Sequence, residues 1–246
     1  MRQVAWVTGA SRGIGKAVAE ELAGQGMAVA LGYRSNRQAA EDWAMFLRDT
    51  YGVDTVAVGG DVSDADQVDR MAAEVERTLG PVSVLVNNAG ISQQLLVTDI
   101  STVQWKEMMG VHVDGTFYCC RRVLPEMIRR KQGKIINISS MWGQVGASCE
   151  VHYSTAKAAV IGLTRALAKE VGPSGIQVNC VAPGVIDTDM LAFFSEEDRQ
   201  ALAEETPLGR LGTPRDVAKT VGFLAGSGAD FITGQVLSPN GGFVIG

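Results

Sequence analysis

Thr8-Gly9-Ala10-Ser11-Arg12-Gly13-Ile14-Gly15 is the stretch that decides how this chain is read. The apolar run Val4-Ala5-Trp6-Val7 leads into it, and a helical pattern opens near Gly13, so the glycines lie between a strand and a helix. Their spacing, G-x-x-x-G-x-G, is a variant of the fingerprint with which a strand-to-helix turn takes a dinucleotide. One glycine allows the tight turn, the next lets backbone approach a pyrophosphate, and the last lets helix meet strand. Ser11, Arg12 and Ile14 belong to the same cradle. The start of the helix adds unpaired N–H groups and the positive end of its dipole.

The alternation continues along the chain. Strands are expected at Val4–Thr8, Ala28–Tyr33, Thr55–Val58, Val82–Asn87, Lys134–Ile138, Ile176–Ala182 and Gln235–Leu237. Most are unbroken runs of Val, Ile, Leu and Ala, as in strands covered on both faces. Helices are expected to begin near Gly13, Gln38, Asp64, Thr102, Tyr153 and Pro214. This pattern predicts one doubly wound α/β domain of the Rossmann type over residues 1–246, with about seven parallel strands and helices on both faces. Pro183–Thr213 is the longest stretch without a clear strand. It holds Phe193, Phe194 and the acidic run Glu196–Asp198, and is expected to form a substrate lid over about residues 184–213.

With 246 residues, 46% hydrophobic and 20% charged, the chain has the make-up of a globular enzyme. A net charge of -5 argues against nucleic acid. No apolar run reaches the roughly 20 residues that span a bilayer, and the first residues read as a strand rather than a signal peptide. A cytoplasmic protein is expected. Cys119, Cys120, Cys149 and Cys180 form no C-x-x-C pair, and the two histidines are His112 and His152, so no metal site is expected and the cysteines read as buried free thiols.

The second expected strand ends Leu31-Gly32-Tyr33-Arg34-Ser35-Asn36. Sites for NAD usually place a carboxylate here to bind the ribose 2′-OH. Arg34, with Ser35 beside it and Arg12 from the glycine loop, suits a 2′-phosphate instead, which points to NADP(H).

Tyr153 and Lys157 are four residues apart on an expected helix and share one face. Free tyrosine titrates near pH 10. A lysine ammonium one turn away, together with the positive nicotinamide of oxidised cofactor, would favour phenolate. Lowering the phenol's pKa by about three would take roughly 4 kcal/mol. Ser140, at the end of the preceding strand, is placed to hydrogen-bond a carbonyl oxygen as it gains charge.

With these residues the chain resembles the short-chain dehydrogenase/reductase family from end to end. The match comprises Thr8–Gly15, Asp61, Asn87-Asn88-Ala89-Gly90, Ser140, Tyr153-x-x-x-Lys157 and Pro183-Gly184. The resemblance implies that Asp61 and Val62 flank the adenine and that Asn88 and Gly90 line the cofactor cleft. It implies that Pro183, Gly184, Ile186 and Thr188 meet the nicotinamide, with Tyr153 and Lys157 at its ribose. It is broadest toward 3-oxoacyl-[acyl-carrier-protein] and acetoacetyl-CoA reductases, which reduce a ketone to a secondary alcohol with hydride from NADPH and a proton from the tyrosine. A homodimer or homotetramer is implied through the helices at Thr102–Lys131 and Tyr153–Gly172. Trp105, Met108, Met109 and Phe117 would serve that interface or the domain's own core.

Three departures bear on function. The family's catalytic asparagine matches His112, which either joins the proton relay or fills space. A basic patch for an acyl carrier protein would fall at Arg129-Arg130-Lys131, but its other position is the uncharged Ser174. Third, Ser139–Tyr153, with His112, resembles the elongation factor P 5-aminopentanone reductases of some bacteria, which act on a ketone attached to a protein lysine. Glu150, three residues before Tyr153, is the candidate substrate residue: it would bind an ammonium, or else flank the positive end of the Tyr153 helix. A non-catalytic NADP(H) sensor would be expected to lose Tyr153, Lys157 or Ser140, and all three are present.

Overall fold

The computed structural model describes residues 3–191 and 194–245, the side chain of Met190 aside. Seven strands form one parallel sheet: β1 Val4–Val7, β2 Ala28–Tyr33, β3 Thr55–Gly59, β4 Val84–Asn87, β5 Gly133–Ile138, β6 Ile176–Val181 and β7 Val236–Leu237. Their order is β3-β2-β1-β4-β5-β6-β7. The order reverses beside β1, and in such sheets ligands lie outside the carboxyl ends of the strands at that point.

The helices are α1 Gly13–Gly24, α2 Arg37–Tyr51, α3 Ala65–Leu79, α4 Thr102–Met109, α5 Gly115–Arg130, α6 Trp142–Val145, α7 Val151–Val171, α8 Glu196–Glu205 and α9 Pro214–Ala225. Strand side chains alternate between two cores. Ala5 and Val7 face the core made with Val18 and Leu22 of α1, Leu47 of α2 and Val217 of α9. Val4 and Trp6 face the opposite core, with Val68 of α3, Cys119 of α5 and Ala168 of α7. Both layers bury their apolar face completely, which is why the strands read as unbroken hydrophobic runs.

Two regions differ from the expectation. Thr102–Lys131 is not one helix, because Gly110–Asp114 forms a π-helical turn between α4 and α5. The expected lid contains a 3₁₀ turn at Asp189–Leu191 and the helix α8. Its base is pinched where Ile186 pairs with Gly212, with Asp187 N donating to Gly212 O at 2.8 Å. Phe193 lies outside the described residues. Among the described residues no helix is long and apolar enough to cross a membrane. Cys119, Cys120 and Cys180 are buried free thiols, while Cys149 is half-buried rather than buried.

Candidate active site

The loop after β1 is tied to the end of β4. The Thr8 hydroxyl accepts from Asn88 N and Ala89 N, each at 3.0 Å. The Asn88 amide donates to Thr8 O at 2.9 Å and to Gly9 O at 3.1 Å. A Cβ on Gly15 would stand 2.3 Å from Gly9 O and 2.4 Å from Asn88 Nδ2, so only glycine lets α1 reach the strand here. Asn88 thus braces the loop through its side chain. Arg12 starts α1 with no side-chain cap, and the first turn holds no acid. That leaves the positive end of the helix to an anion, a fit for phosphate.

The remaining expected cofactor residues line the same rim. Arg34 and Ser35 follow β2, and Asp61 and Val62 follow β3. Arg34 is 3.7 Å from Asp61 and half its side chain is exposed. Gly90 follows β4. Pro183, Gly184, Ile186 and Thr188 follow β6, where Met141 N donates to Pro183 O at 2.9 Å. Thr188 lies across from Gly13, its methyl 3.7 Å from where a Cβ there would sit. Arg12 reaches Asp189 at 3.7 Å, joining the glycine loop to the expected lid.

The chemical side chains come from β5, the π-helical turn and α7. A buried polar chain sets α7 on the sheet: Asn87 Nδ2 donates to Asn137 Oδ1 at 2.8 Å, and Asn137 Nδ2 donates to Thr164 Oγ1 at 2.9 Å. Ser139 Oγ donates to Lys157 O at 2.8 Å, fixing the turn of α7 that carries Lys157. Each such bond contributes about 1 kcal/mol. None was expected from the sequence, although the run Asn137-Ile138-Ser139 at a strand end is a visible signal.

Ser140, Tyr153, Lys157 and His112 are brought together. Ser140 lies close enough to the Tyr153 phenol to favour its ionised form. Lys157 Nζ is 5.6 Å from the centre of the Tyr153 ring and donates to Ile138 O at 2.8 Å. His112 stands beside Tyr153, and its Nε2 lies 2.8 Å from Ile91 O and 3.2 Å from Ile91 N.

The electrostatics of this cluster differ from the sequence expectation in one respect. Burial pushes Tyr153 up to about 12, opposed by the nearby Ser140 hydroxyl and assisted by the charge of Glu150. Lys157 is itself buried, and desolvation brings it down to about 8. His112 is held well below its ordinary value, first by burial and then by the charge of Lys157. It is therefore a neutral imidazole. His152 is fully buried and neither ring nitrogen has a hydrogen-bond partner, a feature the sequence does not display.

Glu150 stands at the N-cap of α7, but its side chain makes no capping bond. Instead Oε1 accepts from Gln94 Nε2 at 3.2 Å. Gln94 was not anticipated, since nothing in the sequence places the loop after β4 against the loop before α7. Arg129 of the expected basic patch is paired with Glu126 at 2.6 Å.

Comparison with known proteins gives the family. Residues 9–244 match a family described as "Enoyl-(Acyl carrier protein) reductase". The chain is 42% identical over 243 residues to the "Uncharacterized oxidoreductase YmfI" of Bacillus subtilis, covering 99% of each. It is 41% identical over 242 residues to the "3-oxoacyl-[acyl-carrier-protein] reductase FabG" of Staphylococcus aureus, covering 98% of each. It is also 41% identical over 240 residues to the protein of that name from Aquifex aeolicus, covering 98% of this chain and 96% of the relative. These matches run nearly the full length of the chain, and the chain is a short-chain dehydrogenase/reductase, an oxidoreductase.

Proposed function

We propose that this oxidoreductase reduces a ketone to a secondary alcohol with NADPH. The observation that carries the reading is the gathering of Ser140, Tyr153 and Lys157 on the rim where the dinucleotide cradle opens, with Lys157 Nζ 5.6 Å from the centre of the Tyr153 ring and Ser140 close enough to act on the phenol. NADPH, when bound, supplies a hydride to the carbonyl carbon. Ser140 holds the carbonyl oxygen, and Tyr153 gives it a proton as it gains charge. Lys157, buried beside the phenol, holds the nicotinamide ribose. Arg34 and Arg12 exchange their carboxylates for the 2′-phosphate, and residues 184–213 close over the substrate.

The names of the relatives make a 3-oxoacyl thioester on an acyl carrier protein the first substrate to test. No relative named above speaks for elongation factor P. Trp105 and Phe117 are exposed whereas Met108 is fully buried, which supports a dimer formed through α4 and α5. The assay is NADPH consumption with 3-oxoacyl thioesters and simple ketones. Turnover of at least one with formation of the alcohol is expected, and absence of any turnover by folded protein that binds NADPH overturns the reading.

A further inference from the structure

Trp142 links the Ser140 hydroxyl to the segment after β7. Its backbone N donates to Ser140 Oγ at 3.2 Å, a local turn in which the hydroxyl oxygen is the acceptor. With that acceptor site filled, the Ser140 proton is left to donate toward a carbonyl oxygen. Helix α6, which begins at Trp142, has four residues and is too short to hold this geometry alone. It is held by its neighbours instead. A Cβ on Gly143 would stand 2.7 Å from Lys157 C and 2.8 Å from Ser139 Oγ, so α6 rests directly on α7. Gln144 Oε1 accepts from Ser238 Oγ at 3.0 Å. The Trp142 ring meets Phe243 edge-on, with centroids 5.7 Å apart and planes at 90°, an arrangement that aromatic pairs favour. Both rings are half-buried, and neither belongs to the two cores of the sheet.

Phe243 is fixed in turn. Asn240 Oδ1 accepts from Gly242 N at 2.9 Å, and Asn240 Nδ2 donates to Val244 O at 2.8 Å. Gly241 and Gly242 take φ 66 and 89, and a Cβ on Gly241 would stand 2.5 Å from the Thr206 methyl. Leu208 N donates to Gly241 O at 3.1 Å. Thr206 and Leu208 directly follow α8, so the expected lid grips the same turn that carries Phe243.

We infer that Phe243 is a positioning residue for the reduction: by holding the Trp142 ring edge-on, it fixes the backbone N–H that sets the Ser140 hydroxyl. This rests on the ketone-reductase reading and deepens it. An effect carried by one hydroxyl on the carbonyl oxygen falls on the chemical step, so it lowers kcat and leaves NADPH binding alone.

The test measures kcat for a ketone that the wild-type protein turns over, together with the Kd for NADPH. Rates are counted per NADPH-binding site, so unfolded protein drops out. Phe243→Leu keeps apolar bulk and loses the ring; it is expected to lower kcat about fivefold or more, with Kd within about twofold of wild type. Phe243→Tyr keeps the ring and is expected to hold kcat within about twofold. In Ser140→Ala, with product collected over hours at high enzyme concentration, adding Phe243→Leu is expected to change the rate less than about twofold, because the hydroxyl it acts on is gone. An unchanged kcat in Phe243→Leu overturns the inference, as does an equal loss in Phe243→Tyr. So does the same fall in the Ser140→Ala background, which would mark a general loosening of the fold. If the wild-type protein turns over no ketone, the ketone-reductase reading fails first and the inference with it.

Discussion

His112 stands edge-on to Tyr153, with ring centroids 5.5 Å apart and planes at 85°. The same imidazole pins Ile91 through Nε2 and lies over Gly90, where a Cβ would come within 2.6 Å of its Cε1. His112 thus joins the loop after β4 to the proton donor, and its low pKa keeps it neutral through the physiological range. Asparagine can also contact the Ile91 backbone, so His112→Asn should keep most of the activity, whereas His112→Leu should lose at least tenfold in kcat/KM. Equal activity in all three proteins would reduce His112 to space-filling. Gly90→Ala should destabilise the fold by about 1–3 kcal/mol, measured by denaturant unfolding, because the added methyl forces the ring aside.

Cofactor choice is expected to turn on Arg34, which rests half-exposed against Asp61. A 2′-phosphate offers a stronger, charge-assisted partner, and a carboxylate at this position would repel it. Wild type should prefer NADPH, and Arg34→Asp should lower kcat/KM for NADPH tenfold or more while raising it for NADH. Steady-state kinetics with both cofactors measure this, and a wild-type preference for NADH would contradict it.

Lys157 is held in the fold against its own solvation. Its pKa is brought from 10.5 to about 8, which corresponds to about 3 kcal/mol against the charged form. Below pH 8 the lysine is protonated both folded and unfolded, and the fold bears that full cost. Between about 8 and 10.5 the unfolded chain binds the extra proton, so stability rises with pH across that window. Lys157→Met should therefore abolish turnover and yet raise the melting temperature of the cofactor-free protein at pH 7. The advantage over wild type should shrink as pH approaches 10. A variant less stable at pH 7 would show that the bond to Ile138 O outweighs the buried charge.

The sheet was legible because its strands are buried on both faces, so that Val84–Asn87 and Ile176–Val181 advertise themselves without a partner. The meeting of Ser140, Tyr153 and Lys157 was legible for a similar reason: a strand end and a four-residue helical spacing define it locally. The π-helical turn was not. Val111-His112-Val113 continues a helical pattern, and the turn answers to packing at its end, where a Cβ on Gly115 would stand 2.8 Å from Val62. Helix α8 was missed because its polar residues leave no apolar stripe, although Ser195 and Asp198 form a capping box that the S-x-x-D spacing carries. The pairing of Gln94 with Glu150 joins residues 56 apart and has no local signature. The direction of Lys157, toward Ile138 O rather than simply toward the phenol, likewise depends on how β5 and α7 pack.

The most direct test of the account is Tyr153→Phe, with NADPH binding and ketone-dependent NADPH consumption read on the same sample. The phenylalanine ring keeps the shape beside His112 and removes only the hydroxyl. The account predicts that NADPH binds within a few-fold of wild type while turnover falls below a few per cent. Turnover near the wild-type rate in Tyr153→Phe would contradict it, because the proton would then come from elsewhere.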